Sequence, residues 1–242
     1  MGINTSKDKR LGMNFIQRNI PNAITSLNLL CGSIAIVFAF EQKLSVALYW
    51  ILAASVFDFL DGLVARALNA YSEIGKQLDS LSDMVSFGLA PAIMLFVALK
   101  PCWTIPVLNY SPFLLAVFSA LRLAKFNIDT RQSVDFIGLP TPANALFFVS
   151  FANLIVAFAK SSLQLPMVAL ILVFCGLMVS EVRLLSLKHF STNQTKKVLL
   201  LILAIVSIAA IILTKLYAGI IIIPAYLILS ATYYRFGHEN RN

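Results

Sequence analysis

Charge is what this 242-residue chain has least of: only 12% of its residues are Asp, Glu, Lys or Arg, against about 25% in an ordinary globular chain. Apolar residues make up 59%, and the mean hydropathy is +0.84. That balance excludes a disordered chain, a basic nucleic-acid-binding domain and a soluble enzyme with a polar surface. Cysteine is nearly absent as well. Cys31, Cys102 and Cys175 stand far apart in apolar surroundings without CxxC spacing, which excludes a disulfide framework and a zinc site. What remains is a chain whose main solvent is lipid.

Negative charge is scarcer still, with 11 Asp and Glu against 19 Lys and Arg, a net +8. Five of those acids, Asp58, Asp61, Glu73, Asp79 and Asp83, fall between residues 58 and 83, inside apolar sequence. A chain that avoids acids elsewhere has gathered them there.

A membrane-spanning helix needs about 20 mostly apolar residues. Such runs lie near 22–40, 45–68, 77–99, 106–127, 141–159, 164–182, 197–214 and 216–235. The sequence therefore predicts an all-α polytopic protein with about eight spans. Only Lys215 separates the last two, so they are expected to form a tight hairpin, with one long broken segment as the alternative. Residues 1–20 read as a basic juxtamembrane segment, without a cleavable signal peptide, and 21–242 as one catalytic domain. The first residues, MGINTS, fit the pattern for lipidation at Gly2. The stretch before the first span is suited either to an amphipathic helix on an anionic leaflet or to a solvated basic tail.

With eight spans, 15 of the 19 basic residues fall on the side that holds both termini; Lys43, Lys100, Lys160 and Lys215 fall on the other. Basic residues accumulate in cytoplasmic loops. Both termini and the acidic cluster are therefore expected at the cytoplasmic face.

Asp58 and Asp61 are three apart, and Asp79 and Asp83 four apart, spacings that set each pair on one helix face. Gly62 and Ala65 continue the first stripe, which lets a ligand lie close to the backbone beside the acids. Arg66 ends that segment and Gly75 opens the next. Carboxylates at membrane depth are costly and repel one another. Hard divalent cations such as Mg²⁺ or Mn²⁺, held by oxygen ligands alone, relieve both problems and attract phosphate oxygens. Neither His189 nor His238 is near the cluster. A cation-coupled transporter also gathers intramembrane acids, but it leaves the Gly62, Ala65, Arg66 and Gly75 frame unexplained. Glu73, between the two halves, reads as a loop acid.

The order D-x-x-D-G-x-x-A-R, eight residues, G-x-x-x-D-x-x-x-D resembles the signature of the CDP-alcohol phosphotransferases at every fixed position, from Asp58 to Asp83. The stretches 20–32, 78–92, 121–127 and 136–145 are similar to the serine-using members of that family. The resemblance implies a six-helix core, a CDP-diacylglycerol donor, L-serine as acceptor, membrane lipids as neighbours and a homodimer. It also implies two divalent ions on Asp58, Asp61, Asp79 and Asp83, with Asp83 as general base. Thr25, Asn28, Gly62, Arg66, Ser72 and Gly75 match positions near the CDP group. Arg122, Lys125, Asn127 and Thr141 are candidates for the acceptor pocket, although Arg122 and Lys125 also suit orientation charges. Other family acceptors, glycerol phosphate or inositol phosphate, stay open as alternatives.

Overall fold

The apolar runs fold into helices broken by short polar turns. The computed structural model describes residues 15–102, 105–128, 136–158, 164–185 and 194–236. Gly2, the basic residues before Phe15, Arg131, Lys160, Lys188, Arg241, both histidines and the side chain of Cys102, on which some of the expectations above fall, lie outside the described residues.

Helix α1 (Phe15–Phe40) and α2 (Leu44–Ala67) form an antiparallel pair. The turn between them is closed by Gln42 in the left-handed region (φ 62) and by Lys43 N–H donating to the Phe38 carbonyl at 2.9 Å. That six-to-one bond is a Schellman stop. The same device ends α2. Asn69 has φ 51, and the Ala70 N–H reaches the Ala65 carbonyl at 2.9 Å. Asparagine tolerates the left-handed region better than most residues. Ser72 then caps α3 (Glu73–Asp83), its Oγ accepting from the Gly75 N–H at 2.9 Å. The gap between the two acidic pairs is thus a stop, a short link and a cap.

The third span starts at Glu73 rather than at 77, because Ser72 satisfies the first-turn donors that the apolar pattern does not reveal. It continues through a π-helical turn, Met84–Leu89, into α4 (Ala90–Leu99). This is the most enclosed span, with 67% of its apolar window buried, so the rest of the bundle is arranged around it. The fourth span is not one helix: a 3₁₀ turn, Pro106–Tyr110, precedes α5 (Phe113–Ile128). Helix α6 (Thr141–Phe158) packs on α4, and α7 (Gln164–Val179) packs on α5. Helices α8 (Gln194–Thr214) and α9 (Ala218–Phe236) fold back on one another around Lys215 (φ 46), and α9 also packs on α6.

Among the described residues, six segments are long and apolar enough to cross a membrane. The last of them, 196–235, contains the α8–α9 turn, and α7 is a shorter apolar helix. Leu201, Ile205, Ile208 and Ile212 all face outward on α8. A continuous apolar surface of this kind is tolerated in lipid and not in water. The protein is an all-α, multi-pass membrane protein.

Outside the helices, Phe136–Ile137 pairs antiparallel with Arg183–Leu184. Gly138 follows with φ 75, its N–H bonded to the Val182 carbonyl at 2.9 Å. A Cβ here would sit 2.6 Å from the Met178 carbonyl oxygen. Gly138→Ala therefore combines left-handed strain with a backbone collision. We expect a loss of about 1–3 kcal/mol, read as a lower unfolding temperature.

Candidate active site

Three helices meet at the acidic cluster. Helix α2 presents Asp58 and Asp61, and α3 presents Asp79 and Asp83. Asp58, Asp61 and Asp79 each offer a carboxylate oxygen within 4.8 Å of the other two. This set of hard oxygen donors fits a divalent cation of the Mg²⁺ or Mn²⁺ kind. Asp83 stands apart from the triad, buried, yet near enough to feel the charges of Asp58, Asp79 and Asp61.

Helix α1 ties the two pairs together. The Thr25 hydroxyl lies 2.6 Å from Asp61 Oδ2 and 3.0 Å from the Pro21 carbonyl. With one proton to give, it favours the short, charge-assisted contact to the carboxylate. One turn later, Asn28 Nδ2 donates to Asp83 Oδ1 at 3.2 Å. The backbone carbonyls of the same two residues are also engaged. Ser82 Oγ donates to the Thr25 carbonyl at 3.2 Å, and Ser86 Oγ to the Asn28 carbonyl at 2.9 Å. Gly32 makes the approach possible, since a Cβ there would collide with Ser86. All four bonds are buried, where hydrogen bonds are strong and misplacement is costly.

Beside the triad opens a cavity of about 430 Å³, within the roughly 300–1,000 Å³ typical of small-molecule sites. Thr25, Asp61, Gly62, Ser72, Gly75 and Asp79 contribute to its wall. Gly62 faces open space: no atom lies within 4 Å of where its Cβ would be. Gly75 is different, because a Cβ there would come 2.9 Å from Asn22 Oδ1 and 3.0 Å from Ser72 Oγ. Its smallness serves packing of α3 on α1. Ser72 Oγ accepts the capping bond and keeps its proton for a ligand. Arg66 lies exposed at the end of α2, outside this wall.

The four acceptor candidates separate. Arg122 is buried; its Nη1 donates to the buried Thr141 Oγ1 at 3.4 Å, and it lies within electrostatic reach of Asp83. Lys125 Nζ instead donates to the Val179 carbonyl at 3.4 Å, at the end of α7, where a cation complements the helix dipole. Asn127 Nδ2 donates to Ser80 Oγ at 2.8 Å, while its carbonyl accepts from Lys76 Nζ at 2.8 Å. It stitches α5 to α3.

Sequence reasoning passed over Asn22, Tyr71 and Lys76, which line the cavity, and took Glu73 for a loop acid although it opens α3 on the cavity wall. Asn22 lies three residues before Thr25, and Lys76 three before Asp79. That helical spacing was a signal available in the sequence.

An all-α membrane bundle with an oxygen-donor cluster on a ligand-sized cavity has the make-up of a membrane-embedded site able to hold a divalent cation. The family model described as CDP-alcohol phosphatidyltransferase matches residues 18–180, about two thirds of the sequence. The chain belongs to that family. It is 38% identical over 148 residues to a CDP-diacylglycerol–serine O-phosphatidyltransferase of Mycobacterium tuberculosis, covering 58% of this chain and 51% of the relative. The corresponding Bacillus subtilis protein is 33% identical over 179 residues, 73% of this chain and 94% of the relative. The Helicobacter pylori protein is 32% identical over 186 residues, with coverages of 75% and 78%. The chain spans about half the length of the mycobacterial relatives it matches.

Proposed function

We propose that the protein transfers the phosphatidyl group of CDP-diacylglycerol to the hydroxyl of L-serine, giving phosphatidylserine and CMP. The observation that carries this reading is the pairing of a carboxylate triad on a 430 Å³ cavity with Arg122, among the described residues the one buried guanidinium near Asp83. One buried guanidinium near Asp83 suits an acceptor bearing one carboxylate. A phosphorylated acceptor such as glycerol phosphate asks for more positive charge, and Lys125 is turned to the end of α7.

In this reading Asp58, Asp61 and Asp79 would hold Mg²⁺ or Mn²⁺, with Asp83 completing a second metal site. Bound there, the cations would neutralise the pyrophosphate and ease departure of CMP. Thr25 and Asn28 fix the carboxylates. Gly62 leaves room for the nucleotide, the Ser72 hydroxyl donates to it, and Gly75 lets α3 close on α1. Arg66 meets the CDP group from the rim. Asp83 accepts the serine proton as the hydroxyl attacks the lipid-side phosphorus. It need only take that proton during attack, since a carboxylate is too weak a base to ionise the alcohol beforehand. No Ser, Cys or His of the signature offers a nucleophile with a base, which favours direct transfer. Arg122 and Thr141 hold the serine carboxylate, while Lys125 and Asn127 brace α5 against α7 and α3 beside it. The site lies at the cytoplasmic face of the inner membrane, with both termini on that side, and the protein works as a homodimer. Residues 1–20 form its basic flank, and 21–242 its single catalytic domain.

The test is an acceptor panel with purified protein in vesicles containing CDP-diacylglycerol. Serine is expected to give phosphatidylserine, and glycerol phosphate and inositol phosphate little product. A dominant product from either phosphate ester would reassign the acceptor. Cation flux without nucleotide dependence would make the protein a transporter.

Gly62→Leu probes the cavity separately. Because the new side chain projects into open space, the helix should gain about 1 kcal/mol from replacing glycine. The KM for CDP-diacylglycerol should rise at least about tenfold, the equivalent of roughly 1.4 kcal/mol of binding. A raised unfolding temperature with unchanged KM would move the nucleotide elsewhere.

A further inference from the structure

Two buried polar side chains outside the signature have unmade hydrogen bonds. Arg122 is 7% exposed, and its Nε has no hydrogen-bond partner among the described residues. Asn144 is fully buried, and neither its Oδ1 nor its Nδ2 has a partner among them. Asn144 stands three residues after Thr141 in the first turn of α6, with its own N–H bonded to the Pro140 carbonyl at 3.0 Å. The backbone is regular there, so its side chain shares the Thr141 face that Arg122 contacts. A fully buried carboxamide without partners is destabilising, and an aliphatic residue of similar size would fill the space at lower cost. Unmade donors and acceptors of this kind suit a ligand that completes them.

The donor inventory narrows the ligand. Arg122 Nε–H and the two Asn144 Nδ2 hydrogens are donors, matched by a carboxylate. Asn144 Oδ1 is an acceptor, matched by an ammonium. Both groups occur together on an α-amino acid, whereas a phosphate-ester alcohol has no ammonium and offers Oδ1 only a neutral hydroxyl, a weaker match than the charge-assisted bond. The void lined by Arg122, Lys125, Phe126 and Ser180 is only about 10 Å³, room for one water. Neither Thr141 nor Asn144 borders that void, so admitting an amino acid beside Asn144 would require Arg122 to leave Thr141, a bond that at 3.4 Å is long enough to give way.

We propose that Asn144 selects an α-amino-acid acceptor, accepting from its ammonium at Oδ1 and donating to its carboxylate at Nδ2 beside Arg122. This rests on the serine reading above and names a residue that enforces it.

The experiment is steady-state kinetics of the full chain in vesicles containing CDP-diacylglycerol, for wild type, Asn144→Leu and Asn144→Ser. Both variants should raise the KM for serine roughly 10- to 100-fold, the range for losing hydrogen bonds to charged groups. Turnover at saturating serine and the KM for CDP-diacylglycerol should stay within about threefold, as for a residue that only binds. Preference for serine over 3-hydroxypropanoate, which lacks the ammonium, should shrink by a similar factor. An unchanged KM for serine overturns the proposal while leaving the serine reading intact. Loss of turnover and of affinity for both substrates together, in both variants, would mark a packing role and also overturn it. A wild-type protein that ignores serine in favour of another alcohol sinks the underlying reading, and this proposal with it.

Discussion

Asp61→Asn should fold normally and lose about a thousandfold or more in turnover. The amide oxygen still accepts from the Thr25 hydroxyl now 2.6 Å from Asp61 Oδ2, so the link between α1 and α2 survives. What goes is one of three charges whose oxygens lie within 4.8 Å of one another. A bound cation contributes several kcal/mol of charge stabilisation, and each 1.36 kcal/mol is a factor of ten in rate. Thermal unfolding separates this from misfolding. Wild-type protein should gain stability when Mg²⁺ or Mn²⁺ is added, because a ligand that binds only the folded state stabilises it by mass action. The variant should lose most of that gain while unfolding, in the absence of divalent cations, at a temperature equal to or above that of wild type, since a like-charge repulsion has been removed. Full turnover in Asp61→Asn would contradict the assignment of the triad.

Asp83→Asn should lose roughly 10²- to 10⁴-fold, the usual contribution of a positioned base. The isosteric amide keeps a polar contact with Asn28 but accepts no proton from the alcohol. Because Asp83 lies outside the triad and is held by Asn28 at 3.2 Å, most of the cation-dependent stabilisation should persist. The two variants therefore give opposite thermal signatures for similar losses of activity. Robust turnover by Asp83→Asn would remove it as the base, and loss of the cation effect would make it a principal metal ligand.

What could be read beforehand follows from the physics of each element. The acidic pairs were legible because helical spacing alone sets Asp58 with Asp61 and Asp79 with Asp83, and apolar context makes each acid conspicuous. The turn at Lys215 was legible for the converse reason, as a lone charge between two long apolar runs. Partners contributed by another helix were not legible. Ser82 and Ser86 are unremarkable until α1 lies against them and their hydroxyls reach the carbonyls of Thr25 and Asn28. Residues close in sequence were grouped in one pocket, yet each step along a helix turns the side chain by about 100°. Arg122, Lys125 and Asn127 consequently reach Thr141, the end of α7 and Ser80. The π turn at Met84–Leu89 leaves no mark in composition. Asn144 is hidden in an apolar stretch, and its burial without a hydrogen-bond partner among the described residues singles it out.

The most direct test is CMP release from CDP-diacylglycerol by the purified protein, followed with and without serine in the presence of Mg²⁺ or Mn²⁺. Direct transfer predicts no CMP without serine, and with serine one phosphatidylserine for each CMP. It also predicts no exchange of labelled CMP into CDP-diacylglycerol when serine is absent. CMP release or exchange without serine would contradict a single displacement at Asp83, and release unaffected by removing divalent cations would contradict the role given to Asp58, Asp61 and Asp79.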